Sequence, residues 1–392
     1  MRYQVGPRVF RQMLSYRGLI IVAVMIVVAV SRSAVSAQNL PATVSSTAVG
    51  SGPSFASSER TFRNGSVRLS GTLYVPNGSM RAPAIVVFHD ASVPTRDLPL
   101  YKHLVTMMPP LGIAVFVYDR RGSGKSGGNL DDSGYNMLAD DGIAAQEMLR
   151  RDPQIDPKRV GFWGLSQGGW LSLLAASRSS TAAFAIAVSA PMTTADVQMN
   201  FAVANILRIK GYSRADIDMA LAARTAVDRF EAGKSDRATA QSALEAVISK
   251  PWFNLIYLPN ELQDPNESRW AKVIKNDPLK ALDSLKLPVL IMYGTEDAWV
   301  PAELSVASLR ASAARHPSIT VQMVNGADHE MMLSVPPAAQ IDPAMLALHA
   351  PDAPAYFGLL ASWLTRQGIA HPPGQWMDRD ALMSWKLARA LL

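Results

Sequence analysis

The sequence predicts an α/β protein with a mostly parallel sheet of eight strands flanked by helices. Short apolar runs typical of buried strands alternate with longer runs of helical periodicity along most of the chain. This alternation is the pattern of parallel strands joined by helices that cover both faces of a sheet. With 392 residues, 48% hydrophobic and 18% charged, the chain is long and apolar enough to bury a sizeable core.

The N-terminal segment, residues 1–37, predicts a signal peptide. Four arginines precede an apolar run from Leu19 to Val30, and small residues then lead to a plausible cleavage site at Ala37. A run of 12 apolar residues is short for a membrane span and suits a signal peptide. We therefore expect a secreted or periplasmic protein, with an uncleaved membrane anchor as the alternative.

The same segment accounts for the positive charge of the chain. Residues 1–37 hold five arginines and no acidic residue, so removing them lowers the net charge from +6 to about +1. The charge is thus a targeting feature and does not indicate a nucleic-acid partner. The chain has no cysteine, which excludes disulfides, thiol catalysis and thiolate metal sites.

Residues 38–58 are rich in Ser, Ala, Thr and Pro and predict a flexible leader. The next segment, Ser66 to Val75, alternates between apolar and polar residues and lies between Asn64-Gly65 and Asn77-Gly78. Asn-Gly pairs favour tight hairpin turns. We expect an antiparallel hairpin at one edge of the sheet.

The most informative motif is Gly164-Leu165-Ser166-Gln167-Gly168, which fits the pattern GxSxG. An apolar run, Val160 to Trp163, precedes it, and a run of small helical residues, Trp170 to Ala176, follows. Strand, sharp turn and helix in this order hold a serine hydroxyl group clear of the sheet, and glycines two residues away on each side allow the strained backbone. Ser166 is therefore the candidate nucleophile.

An acid and a histidine follow Ser166, each just after a strand-like run. Asp297 comes after Pro288 to Tyr293, and His329 comes after Ile319 to Val324. A serine becomes nucleophilic when a neutral imidazole takes its proton, and a carboxylate fixes the required imidazole tautomer. The order Ser, Asp, His is the one expected for partners of a GxSxG serine.

Two other acids and four other histidines are less suited to these roles. Glu296 precedes the usual acid position, and Asp328 neighbours the histidine and should point away from it. The remaining histidines lack a strand-end position: His103, His316, His349 and His371.

A tetrahedral oxyanion needs two backbone donors. The amide of Gln167 is the expected first donor, because it follows the nucleophile. A buried strand, Ala84 to Phe88, runs into His89-Asp90-Ala91-Ser92. Ala91 is the preferred second donor.

Taken with these motifs, the chain resembles the α/β-hydrolase superfamily, in particular its dienelactone-hydrolase-like and carboxylesterase branches, over about residues 60–370. The turn Asp119 to Ser126, after the strand Ile113 to Val117, is similar to the DxRGxGxS turn of that superfamily. Asp90 departs from the pattern, since relatives usually carry glycine there. The resemblance implies a hydrolase. We expect no metal and no organic cofactor.

The segment Gly124-Lys125-Ser126 superficially matches the end of a phosphate-binding loop. That motif needs a glycine at position 119, which is aspartate here. We expect a turn stabilised by Asp119 and the neighbouring arginines, without a nucleotide. A metal site is not expected either, because Asp328-His329-Glu330 are adjacent and no HExxH motif occurs.

About 95 residues separate the strand Phe184 to Val188 from the strand at 288, far more than one crossover needs. Helical periodicity at Phe201 to Leu207, Ile217 to Phe230 and Ala238 to Ile248 predicts a helical cap over residues 192–284, inserted between core segments 59–191 and 285–370. Residues 371–392 are expected to form a C-terminal docking helix. Four cap aromatics either line a substrate pocket or pack the cap onto the core: Trp252, Phe253, Tyr257 and Trp270.

The sequence thus predicts a serine hydrolase that cleaves carboxylic esters through an acyl-enzyme on Ser166. The same triad also serves a peptidase for short peptides or an acyltransferase. An acidic anchor for a free amino terminus in the cap, for which Glu231, Glu245 and Glu261 are available, would favour the peptidase. A non-catalytic binding protein of the same fold is the remaining alternative. The expected partner is a small ester or short peptide.

Overall fold

A computed structural model of the protein describes residues 55–78, 81–91, 95–346 and 350–370. The predicted signal peptide, most of the predicted leader and the predicted C-terminal helix lie outside the described residues. Within the described ranges the strands are β1 (Phe55–Asn64), β2 (Val67–Pro76), β3 (Ala82–Phe88), β4 (Ala114–Tyr118), β5 (Ile155–Leu165), β6 (Ala185–Val188), β7 (Val289–Gly294) and β8 (Ile319–Val324).

The helices of the same ranges connect these strands. They are α1 (Lys102–Met107), α2 (Tyr135–Arg150), α3 (Gln167–Arg178), α4 (Ala195–Ile209), α5 (Arg214–Glu231), α6 (Arg237–Glu245), α7 (Arg269–Val273), α8 (Pro278–Asp283), α9 (Ala302–Arg315), α10 (Pro337–Gln340), α11 (Pro343–Leu346) and α12 (Pro354–Arg366).

The eight strands form one sheet in the order β1-β2-β4-β3-β5-β6-β7-β8. The six strands from β4 to β8 in this order are mutually parallel, whereas β2 runs antiparallel to both β1 and β4. The predicted eight-stranded, mostly parallel sheet is confirmed. Because the carboxyl ends of parallel strands meet at one edge, residues that follow β3, β5, β7 and β8 share that edge.

The predicted hairpin at the sheet edge is also present. The last pair of β1 and β2 is Asn64 with Val67, so the hairpin loop consists of Gly65 and Ser66. Gly65 has φ = +58°, which suits the first loop position of a type II′ turn. The leader was predicted to extend to residue 58, and this boundary is wrong: residues 55–58 pair with Leu73 to Pro76 as part of β1.

Alternate residues of the strands bury themselves on opposite faces of the sheet. Val86 and Phe162 join the apolar cluster that includes residues of α2, α3 and α9, whereas Val87 and Trp163 join the cluster that includes residues of α1 and α12. Burial on both faces explains why β3, β4, β6 and β7 are apolar throughout and not alternating.

The segment between β6 and β7 forms five α-helices, α4 to α8. Helices α5 and α6 begin with capping side chains from Ser213 and Asp236, which accept hydrogen bonds from backbone amides of the first helical turn. These helices bury their own apolar cluster around Trp252. Among the described helices, none is long and apolar enough to cross a membrane.

Candidate active site

Ser166 lies at the sharp turn between β5 and α3. Its backbone has φ = 56° and ψ = −121°, a strained conformation for a residue with a side chain. The Ser166 amide donates to Val188 O at 2.8 Å, which fixes the turn against the end of β6. The residue is half-buried. The geometry is that of a nucleophile elbow.

The glycines of the motif are required by close backbone approach. A Cβ on Gly164 would lie 2.0 Å from the carbonyl group of Gly168, and a Cβ on Gly168 would lie 2.5 Å from Phe88 O. A real Cβ cannot be accommodated at such distances. Gly168 therefore brings the start of α3 directly against the end of β3.

Asp297 and His329 are joined by a hydrogen bond: His329 Nδ1 donates to Asp297 Oδ2 at 2.8 Å. Both side chains are buried. Asp297 Oδ1 accepts from the amides of Trp299 and Val300, each at 2.8 Å. These bonds fix the carboxylate so that one oxygen holds its own loop and the other holds the imidazole.

The loop that carries His329 leaves β8 and crosses the end of β7. A Cβ on Gly294, the last residue of β7, would lie 2.3 Å from both Ala327 O and Asp328 O, so this approach needs glycine. Crossing β7 directs the loop toward β6 and β5. Ser166, Asp297 and His329 therefore all lie at the carboxyl edge of the sheet.

The electrostatic surroundings of His329 favour a positive imidazole. Burial by itself lowers the pKa of His329, but the negative charge of Asp297 and its hydrogen bond outweigh this and raise the pKa to about 9. Glu330 and Asp328 act in the same direction. These surroundings stabilise the imidazolium form of His329.

Of the three acids weighed from the sequence, Asp297 is the one whose carboxylate accepts from His329 Nδ1. Glu296 is exposed. Asp328 Oδ1 instead accepts from the amides of Glu330 and Met332, at 3.0 and 2.8 Å, and so stabilises its own turn.

The loop after β3 is held by buried side chains. His89 Nε2 donates to Tyr118 O, and its Nδ1 lies 3.0 Å from the Tyr101 hydroxyl group. Burial, with a further contribution from the positive charge of Arg120, lowers the pKa of His89 to about 3, so this histidine is neutral. His89 therefore has a structural role that the sequence did not specify.

Arg120 is buried and donates to the backbone carbonyl of Asp90. Ala91 is the next residue and is exposed at the bend. Gln167 is the first residue of α3, so its amide has no acceptor within the helix. Both candidate oxyanion donors thus lie in segments that Gly168 brings into backbone contact, and Arg120 supports one of them.

The DxRGxGxS turn is stabilised by Asp119, as predicted. Asp119 accepts from the Lys125 amide of the turn at 2.9 Å and from the Arg96 side chain at 2.9 Å. Burial raises the pKa of Asp119, yet these bonds lower it below its usual range. Of the neighbouring arginines, Arg121 anchors the turn to Asp141 of α2, at 3.0 Å from Nε to Oδ2. The sequence did not indicate the contact with Arg96, which is 23 positions from Asp119.

The cap contains a solvent-open cavity of about 420 Å³. Its lining includes Arg224, Asp228, Glu231, Tyr257, Arg269 and Trp270. Of the four aromatics predicted to line a pocket or pack the cap, Tyr257 and Trp270 line this cavity, whereas Trp252 and Phe253 are buried in the cap's own apolar cluster.

The cavity holds two acidic side chains that are almost completely buried. Asp228 lies 3.4 Å from Arg224 and accepts from Trp270 Nε1 at 2.7 Å. Glu231 has one carboxylate oxygen, Oε2, that is buried without a hydrogen-bond partner. Burial raises the pKa of both carboxyl groups.

The Gln167 side chain donates to the Tyr135 hydroxyl group at 3.3 Å. Burial raises the pKa of Tyr135 to about 12, and the positive charge of Arg269, which lines the cavity, opposes this. The described residues contain no group of three or more His, Asp or Glu side chains that could hold a metal ion.

A family model described as "Serine aminopeptidase, S33" matches residues 95–334. A thiohydrolase, apmlB, of Arthrinium phaeospermum is 32% identical over 122 residues, which are 31% of this chain and 38% of that protein. An uncharacterized protein of Mycobacterium tuberculosis (strain ATCC 25618 / H37Rv) is 30% identical over 102 residues, 26% of this chain and 34% of that protein. The matches span about a third of the length of these curated relatives.

Two solved structures share the fold. The esterase Pf2001 of Pyrococcus furiosus superimposes with a TM-score of 0.50 at 16% identity, covering 80% of this chain and 92% of that one. The alpha/beta hydrolase GrgF from Penicillium sp. sh18 gives a TM-score of 0.50 at 18% identity, covering 80% and 99%. At these identities the likeness concerns the arrangement of strands and helices.

Proposed function

The chain belongs to the α/β-hydrolase family described as serine aminopeptidase, S33, and on that basis we propose that it is a serine hydrolase acting on carboxylic esters. The observation that carries the proposal is the buried hydrogen bond from His329 to Asp297, at the same edge of the sheet as the strained Ser166 turn. A serine hydroxyl group is activated when an imidazole held by a carboxylate takes its proton.

In the proposed mechanism Ser166 Oγ attacks the acyl carbonyl carbon while His329 Nε2 takes the hydroxyl proton. Asp297 keeps the Nδ1 proton of His329 in place and stabilises the resulting imidazolium. The amides of Gln167 and Ala91 hold the oxyanion. His329 then protonates the leaving alcohol, and water cleaves the acyl-enzyme by the same steps in reverse order.

The test is hydrolysis of p-nitrophenyl esters of graded acyl length by the mature protein. We expect turnover that is lost in Ser166→Ala and His329→Ala. It should be retained in Ser284→Ala, because Ser284 is an exposed serine at the end of α8 and outside the proposed machinery. A thioester series belongs in the same assay, because one relative is named a thiohydrolase. A folded wild-type protein that hydrolyses no ester or thioester of any length would contradict the proposal.

A second candidate function is cleavage of short peptides from a free amino terminus. The favouring observation is Glu231, which was one of three acids considered from the sequence and lines the cap cavity with Oε2 lacking a partner. Glu245 and Glu261 are exposed instead. Ser268 hydrogen-bonds the Glu231 carboxyl group, so the buried Oε2 is the oxygen left for a substrate. A buried carboxylate oxygen without a donor is costly, and a substrate ammonium group would supply both a donor and a positive charge.

Glu231→Gln separates the two functions, because it keeps the shape of the side chain and removes its charge. If the cavity holds an amino terminus, KM for an aminoacyl p-nitroanilide rises in the variant while an N-acetylated substrate is unaffected. If, for each substrate, KM is the same in wild type and in Glu231→Gln, Glu231 does not bind an amino terminus. Ester hydrolysis then remains the proposed function. Glu245→Gln, at an exposed position of the same cap, is the control.

We also propose that residues 1–37 direct export and that the mature protein is secreted or periplasmic. The support is the sequence pattern of arginines, a short apolar run and small residues. N-terminal sequencing of the protein recovered from each cell fraction tests this. A mature chain that begins near residue 38 is expected, whereas an intact N-terminus in the membrane fraction would indicate an uncleaved anchor.

A further inference from the structure

The loop that carries Asp297 depends on side chains from outside it for its backbone hydrogen bonds. Asp297 Oδ1 accepts from the amides of Trp299 and Val300. The amide of Ala298 donates to Gln340 Oε1 at 3.2 Å, and the indole of Trp299 donates to Gln340 O at 2.8 Å. The carbonyls of Ala298 and Trp299 then still need donors, since buried backbone groups are normally paired.

Both of these donors come from cap helix α4. Asn205 Nδ2 donates to Ala298 O at 3.1 Å, and Gln198 Nε2 donates to Trp299 O at 2.9 Å. The two amides are seven residues apart, which is two helical turns, so they lie on one face of α4. Arg208 donates to Asn205 Oδ1, which leaves Asn205 Nδ2 directed at the loop.

Apolar packing supports the same contact. Ile206 of α4 forms a small buried cluster with Ala298 and Ile341, and Trp299 packs against it. Ile206 follows Asn205 in sequence, so the apolar contact and the Asn205 hydrogen bond secure the same part of the loop. The cap is therefore attached to the acid loop by two hydrogen bonds and an apolar contact.

We propose that Gln198 and Asn205 are positioning residues that hold Asp297 at hydrogen-bond distance from His329. Helix α4 of the cap would then be needed for the geometry of the triad. This inference rests on the proposed function, because it assigns both residues to the support of the Ser166, Asp297 and His329 triad. Losing the two donors frees the carbonyls of the loop to turn toward water. The carboxylate then keeps its chemical identity but loses its fixed distance to the imidazole.

The consequence for catalysis follows from how the imidazolium is stabilised. His329 gains its positive charge against burial because Asp297 is close and hydrogen-bonded, with Glu330 and Asp328 adding to the effect. A displaced Asp297 raises the pKa of His329 less, whereas the effects of Glu330 and Asp328 stay unchanged. The pKa of His329 should fall, and kcat should fall with it, while KM changes little because neither amide is part of the cap cavity lining.

The experiment compares Gln198→Ala, Asn205→Ala and the double variant with Asn200→Ala. Asn200 is a matched control, since it lies on the same helix and lines a different cavity. Ester hydrolysis gives kcat and KM, and NMR titration of His329 in each full-length protein gives its pKa without need of turnover. Thermal unfolding shows that each variant is folded.

We expect the two single variants to lower kcat several-fold and the double variant about tenfold or more, as small misplacements of catalytic groups do. The pKa of His329 should fall in the same order, with wild-type values for Asn200→Ala. Unchanged kcat and unchanged His329 pKa in a folded single or double variant would overturn the inference. If wild type hydrolyses no ester, the proposed function fails, and the NMR titration alone still decides whether α4 positions Asp297.

Discussion

Replacing Asp297 by asparagine is the perturbation that best isolates the charge of the proposed triad acid. Asparagine Oδ1 can keep both bonds to the amides of Trp299 and Val300, so the loop is expected to stay in place. Its Nδ2 would replace the oxygen that now accepts from His329. An amide donor needs an unprotonated Nδ1, so the imidazole is driven into the tautomer with the proton on Nε2, which cannot accept the serine proton.

The magnitude follows from the environment of His329. Burial lowers its pKa and Asp297 is the largest of the influences that raise it, to about 9 from the ordinary 6.5. Without the negative charge the pKa should drop to 6.5 or lower. A shift of this size corresponds to the loss of about 3 kcal/mol of stabilisation of the imidazolium. In a well-studied serine protease the same substitution lowers kcat by about 10⁴, and we expect a loss of that order here.

The assay is ester hydrolysis as a function of pH, together with NMR titration of His329 in both proteins. For wild type, kcat/KM should rise with pH as the imidazolium loses its proton, with an apparent pKa well above 6.5. Glu296→Gln, which removes the exposed neighbouring charge, serves as the control and should behave as wild type. A folded Asp297→Asn enzyme with wild-type kcat and an unchanged His329 pKa would refute the reasoning.

Three further predictions concern the elbow, the loop after β3 and stability. Gly164→Ala should destabilise the fold by at least about 1–3 kcal/mol in urea unfolding, because the new Cβ would lie 2.0 Å from backbone atoms. Gly127→Ala is the control, since its Cβ would lie 3.4 Å from the nearest atom. Equal losses of unfolding free energy in the two variants would contradict this prediction. Arg120→Met removes one of the donors to the Asp90 backbone and should lower kcat about tenfold or more with little change in KM. A wild-type kcat would argue against support of this loop by Arg120. Because the pKa of His329 is raised on folding, protonated His329 stabilises the folded state below pH 6.5, and this contribution is lost as pH rises through about 9. Between pH 6.5 and 9, Tm should therefore fall more in wild type than in His329→Gln. Parallel plots of Tm against pH for the two proteins would contradict this.

The sequence predicted those parts of the fold that depend on local patterns. The apolar runs before Ser166, Asp297 and His329 each form a strand whose polar continuation reaches the carboxyl edge of the sheet. Strand ends are readable because the change from apolar to polar residues is abrupt in a sheet buried on both faces. The order of the strands follows from the observed pairing, and the sequence alone did not supply it.

Long-range side-chain contacts were beyond sequence reasoning. Asp119 is bonded by Arg96, 23 positions away, and not by its neighbouring arginines. The amides of α4 that hold the acid loop come from about 100 residues earlier in the chain. The predicted leader was extended too far, to residue 58, since Phe55 to Ser58 resemble the polar leader and become a strand only through pairing with β2. Each of these features depends on tertiary contacts that leave no periodic signal.

Covalent labelling of Ser166 is the most direct test of the central claim that a triad activates this serine. Mature protein is treated with a fluorophosphonate probe, and the modified peptide is identified by mass spectrometry beside Ser166→Ala and His329→Ala. The account predicts one adduct, on Ser166, that is absent from Ser166→Ala and strongly slowed in His329→Ala. A folded wild-type protein that remains unlabelled, or that labels equally fast without His329, would contradict it.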